Sequence, residues 1–81
     1  MCTYRTERLE LSGSAKGPQG WFRFERANVY YDHPVHEPVE HSLNIDFLRP
    51  QSGPSARVAV EMSAQAAREL AEAILASLPQ G

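Results

Sequence analysis

The apolar residues of this chain change their period once, and that change limits the folds open to it. Leu43, Ile45 and Phe47 alternate with Ser42, Asn44 and Asp46, and Ala56, Val58, Val60 and Met62 alternate with Arg57, Ala59 and Glu61. A period of two belongs to a strand with one covered face. From Ala67 onward the apolar residues recur at three- and four-residue steps, through Leu70, Ala71, Ile74, Leu75 and Leu78. That is the stripe of one amphipathic helix. Ser63 is placed to cap its start, Gln65, Arg68, Glu69 and Glu72 form its wet side, and Pro79 stops it.

Two earlier segments read as strands. Residues 3–11 are polar, with scattered Thr, Tyr and Leu, and suit a sheet edge. Residues 21–31 are aromatic and β-branched, but Phe22 and Phe24 share one parity while Ala27, Val29 and Tyr31 share the other. Such a phase switch predicts a bulge near Glu25 and Arg26 or two inhabited faces. Glycine and proline clusters at 13–20, 32–38 and 50–54 read as loops. The expected fold is α+β, a four-stranded antiparallel meander with one C-terminal helix packed on one face (ββββα).

With 81 residues, the chain is expected to form a single domain over 1–81. A domain of this size buries only about 60% of the surface of its unfolded chain, so a metal or an oligomer would help it stand. Trp21 and some of Ala27, Val29 and Tyr31 are expected on the sheet face away from the helix, as an apolar patch for a second subunit. A homo-oligomer is therefore expected.

Charge narrows the functional classes. Eight basic and ten acidic residues leave a net charge of −2. Arg5, Arg8, Arg23, Arg26 and Arg49 are interspersed with Glu7, Glu10 and Glu25, so no basic run marks a nucleic-acid site. No apolar run reaches the roughly 18 residues of a membrane span, and the first residues lack the apolar core of a signal peptide. A cytoplasmic location is expected, with neither nucleic acid nor membrane as partner. The single cysteine, Cys2, rules out an internal disulfide.

The chemistry concentrates in one loop. His33, His36 and His41 are the only histidines of the chain, and Asp32, Glu37 and Glu40 stand among them. Imidazole with carboxylate is a usual ligand set for a divalent transition metal, zinc first, with iron, copper or nickel as alternatives. Pro34 and Pro38 reduce the entropy lost on fixing such a loop. The spacing H-x2-H-x4-H matches no strong metal signature, and a polar hairpin loop or metal-free acid–base use of one histidine are the competing readings. Removal of the initiator methionine would leave Cys2 with an amine and a thiol, a chelating pair and a nucleophile. Cys2 as fourth ligand would close a tetrahedral site; without it, one position stays open to water or a small-molecule ligand. Cys2, Glu37 and Tyr4 are the candidate catalytic residues, and Tyr30 and Tyr31 are candidate hydrogen-bond donors nearby. Whether the chain is an enzyme stays open, and a metal-free homo-oligomeric module binding a partner through its sheet face is the alternative.

Taken together, several segments resemble a family of short actinobacterial proteins of unknown function. They are the opening Met-Cys-Thr-Tyr-Arg-Thr-Glu, then Gly20-Trp21-Phe22, the run from Val29 to His36 (Val-Tyr-Tyr-Asp-His-Pro-Val-His), the run from Glu40 to Phe47, and Arg57 to Met62 with the helix. The resemblance implies a self-standing domain and brings no activity.

Overall fold

The structure, a computed structural model, describes residues 5–33 and 40–79. Its elements are β1 (Thr6–Leu9), β2 (Gly13–Gly17), β3 (Gly20–Phe24), β4 (Arg26–Asp32), β5 (Ser42–Leu48), β6 (Arg57–Met62) and α1 (Ala64–Ser77). A short 3-10 turn, Pro50–Ser52, lies between β5 and β6. The main sheet is antiparallel with strand order β1-β4-β5-β6, and β2 and β3 form a separate two-stranded hairpin.

The α+β class, the four-stranded antiparallel sheet and the single C-terminal helix thus agree with expectation, but the meander does not. The segment 21–31 breaks at Glu25, where the phase switch predicted a bulge, and its halves enter different sheets. Residues 13–17, expected as loop, pair with 20–24 instead. Ser14, Ala15 and Lys16 between two glycines carry no alternation that would announce a strand. The turn chemistry was the better signal: Pro18 sits at the second position of a turn and Gly20 follows it with φ +107°, a conformation that suits glycine. Because this hairpin closes on itself, β1 reaches β4 in a register other than a simple meander would set. Thr6 pairs with Tyr30 and Leu9 with Ala27.

Register also corrects the assignment of faces. Ala27 pairs with Phe47, Val29 with Ile45 and Tyr31 with Leu43. These residues therefore share the face that α1 packs on, where Val29, Leu43, Ile45 and Met62 meet Ala67, Leu70, Ala71 and Ile74 across an apolar groove. Trp21 is not with them. It lies on β3 of the hairpin and is 72% exposed. The hairpin docks on the sheet through Phe24, whose ring is 5.0 Å from that of Phe47. Gly13, opposite Phe24, makes room for this: a Cβ there would lie 2.6 Å from the Phe24 ring.

The helix begins as its sequence predicts. The Ser63 side chain accepts a hydrogen bond from the Ala66 N–H at 3.1 Å, satisfying one of the first-turn donors. Among the described residues the buried apolar side chains are Ala27 and Ala56. No helix of the described residues is long and apolar enough to cross a membrane.

Candidate functional site

The β4–β5 hairpin carries the histidine-rich loop. Its ladder ends at Asp32 paired with Ser42, and continuing that register by one residue sets His33 across from His41. The two imidazoles are stacked, with centroids 4.6 Å apart and planes 21° from parallel. The His41 ring also stacks on Tyr31, at 5.8 Å and 23°. The three rings belong to one parity, and hence to the sheet face that bears the helix.

Hydrogen bonds hold His33 by its backbone and by its ring. Its backbone N–H donates to the Asp32 carboxylate at 2.7 Å, so Asp32 shapes the turn out of β4. Its Nδ1 lies 2.9 Å from the Glu40 carbonyl. A carbonyl only accepts, so Nδ1 carries the proton and the lone pair falls on Nε2. Tyr31 in turn borders a shallow cavity of about 420 Å³ with Leu43, Ala64, Ala67 and Arg68, at the start of the helix. Arg68 gives that cavity one cationic group.

His36, Glu37, Cys2 and Tyr4 lie outside the described residues. Among the described residues, no three of His, Cys, Asp and Glu are grouped to hold a metal ion. The structure therefore brings together two of the expected ligands, His33 and His41, with Asp32 and Glu40 acting on the backbone and ring of His33. Tyr30, expected beside them, has the opposite parity and sits on the other face.

That other face is the part the sequence concealed. Ser42, Asn44 and Asp46 alternate with apolar neighbours and read as a wet side, yet they are 0%, 4% and 8% exposed. As short side chains on a central strand, they are walled in by longer neighbours, Tyr30 and Glu61 flanking Asn44 by register. Their polar atoms are paired. Ser42 Oγ donates to Asn44 Oδ1 at 2.8 Å, and Asn44 Nδ2 donates to the Ser42 carbonyl at 3.2 Å. Asp46 accepts from Arg57 Nη2 at 3.1 Å and, more weakly, from the Tyr30 hydroxyl at 3.4 Å. Toward β1 the face opens into a cleft of about 430 Å³ lined by Thr6, Arg8, Arg26, Asn28, Tyr30 and Asp32. Asn28 Oδ1 and Arg26 Nε are buried there without a hydrogen-bond partner.

Burial, reinforced by the Asp46 carboxylate and partly offset by Arg57, raises the Tyr30 hydroxyl above its ordinary pKa. A raised pKa means that folding favours the neutral phenol. Its contribution to stability is complete below the unfolded value of about 10 and is lost as pH rises through the folded value. The wild-type protein should therefore lose more stability between pH 8 and pH 11 than Tyr30→Phe does. Urea unfolding at both pH values measures this, and equal losses would remove Tyr30 from the account.

Residues 1–80 match a family of unknown function, DUF6295, and the chain belongs to that family. No curated protein matches the chain, and no solved structure does.

Proposed function

We propose that this DUF6295 protein binds one divalent transition metal, zinc first, at the end of the β4–β5 hairpin through His33, His36 and His41. The observation that supports this reading is the pairing of His33 with His41 across the hairpin, with Nδ1 of His33 held by the Glu40 carbonyl. Histidines that ligate a metal usually donate their second ring N–H to a carbonyl or carboxylate, which fixes the tautomer and aims Nε2. His36 stands between the two in sequence. Iron, copper and nickel accept imidazole as well, so the ligand set alone does not choose among them.

The fourth ligand decides what such a site does. Cys2 in that place closes the shell and makes the metal structural or carried cargo. Without Cys2 the open position takes water or a substrate, and a small anionic molecule would find Arg68 in the cavity beside Tyr31. A second reading, a metal-free module that binds a partner through the polar sheet face, draws its support from the unpartnered Asn28 and Arg26 atoms in the cleft.

Elemental analysis of untagged protein tests the first reading. About one equivalent of a single metal per chain, lost in the double variant His33→Ala/His36→Ala, is the expected result. A folded protein that stays empty after incubation with zinc, iron, copper and nickel salts would sink it and leave the polar face as the working surface.

A further inference from the structure

The sheet face away from α1 carries a polar cleft of its own. Its walls are Thr6 and Arg8 of β1 with Arg26, Asn28, Tyr30 and Asp32 of β4, and its volume is about 430 Å³. That size falls in the range that holds a small molecule. Register explains why these residues gather. Thr6 pairs with Tyr30 and Arg8 with Asn28, so alternate residues of both strands stand on one face.

The charges are ordered along the cleft. Arg8 lies across from Asn28, and Arg26 is its diagonal neighbour on β4, so two guanidiniums share one end. Diagonal neighbours stand roughly 7–8 Å apart, near enough for two long side chains to converge on one oxyanion. Asp32 stands at the far end of β4. Neither arginine has a close carboxylate. Arg26 Nη2 is 3.8 Å from Glu10 Oε1, too far for a hydrogen bond, and the Glu10 side chain is 74% exposed. Arg8 forms no ion pair among the described residues. Two like charges so placed repel each other, and a bound anion relieves that repulsion. Between the ends, Asn28 Oδ1 and Arg26 Nε are buried without a hydrogen-bond partner. Each is a desolvation cost that the fold leaves unmet. The last torsion of an asparagine is soft, so the Asn28 amide can turn to meet a ligand.

We propose that this cleft binds a small organic anion, its phosphate or carboxylate held between Arg8 and Arg26 and its hydroxyl or amine groups donating to the Asn28 amide oxygen. Guanidinium grips both kinds of oxyanion through paired N–H bonds. Asp32 repels the anionic end and so fixes the direction in which the molecule lies. The site is separate from the histidine loop, needs no metal, and gives the polar face to a small molecule rather than to a protein partner.

Calorimetric titration of protein passed over a chelating resin tests this, with probes that share one carbon skeleton: glycerol 3-phosphate, glycerate and glycerol. At least one of the two anions should bind at about one equivalent per chain with a Kd of about 1 mM or tighter, and the tighter one names the anionic group. Glycerol should not bind. Arg8→Ala, at an exposed position that the fold does not need, should weaken binding by about 10- to 100-fold. Lys16→Ala, which removes an exposed cation from the β2–β3 hairpin, should leave it unchanged. Amide chemical shifts should move at Arg8, Asn28 and Tyr30 on addition of the anion. Failure of both anions to bind, equal binding of glycerol, binding indifferent to Arg8→Ala, or shifts confined to the histidine loop would each overturn the proposal.

Discussion

The substitution Phe47→Ala should lower the unfolding free energy by about 3 kcal/mol, the lower end of the range for aromatic truncation because the ring is only partly covered. For a domain of this length that corresponds to a fall in Tm of roughly 12–24 °C. Phe47 stands on the central strand β5, between Ala27 of β4 and Val58 of β6. Its ring meets Phe24 at 5.0 Å and 58°, a contact that ties the β2–β3 hairpin to the sheet. The approach of β2 to β6 and the Glu25 N–H bond to the Leu48 carbonyl, at 3.1 Å, share that task. Phe24→Ala should cost a comparable amount, and the double variant should show a coupling of about 0.5–1.5 kcal/mol beyond area burial. Thermal unfolding followed by circular dichroism measures all three. A change under about 0.5 kcal/mol for Phe47→Ala would mean that the hairpin is held elsewhere.

The second large effect belongs to the polar face. Asp46→Ala removes the acceptor for Arg57 and Tyr30 and should destabilise by about 1 kcal/mol, the lower end of the cost of leaving donors unpaired, because neither donor is fully buried. The Arg57 side chain is about half exposed, so water recovers much of its part, and the loss rests mainly on Tyr30 and on the space beside Asn44. Asp46→Asn keeps an acceptor and should cost less. It should also reduce the alkaline sensitivity attributed to Tyr30 in part, because burial still raises the phenol's pKa but the carboxylate that adds to it is gone. Denaturant unfolding at pH 8 decides the matter. If Asp46→Ala were as stable as the wild type, the buried row would be polar for some reason other than stability.

Both predictions concern residues whose neighbours the sequence left open. Phe22 and Phe24 announced a covered strand, and the phase switch announced an irregularity near Glu25. Nothing local said that the first half would pair with residues 13–17 while the second half paired with β1 and β5. The histidine loop was more legible. Asp32, His33 and His41 stand at the ends of two segments that read as strands, so the sequence placed them at one end of the sheet, while the register that sets His33 across from His41 came from the structure. The roles of Cys2, Tyr4, His36 and Glu37 lie outside the described residues and rest with the metal analysis.

The sequence by itself determined most kinds of element, the strand at 13–17 excepted, and several of their ends: alternation over β5 and β6, a helix capped by Ser63 and stopped at Pro79, an irregularity near Glu25, and three histidines confined to one short stretch of sequence. These follow from period, capping and turn chemistry, which act over a few residues. Tertiary structure alone decided the partners and the faces. A register between distant segments is the outcome of competing long-range pairings, and each shift by one residue exchanges the two faces of a strand. That competition placed Val29 and Tyr31 under the helix, enclosed Ser42, Asn44 and Asp46 on the far side, and left the apolar stripe of α1 uncovered within one chain.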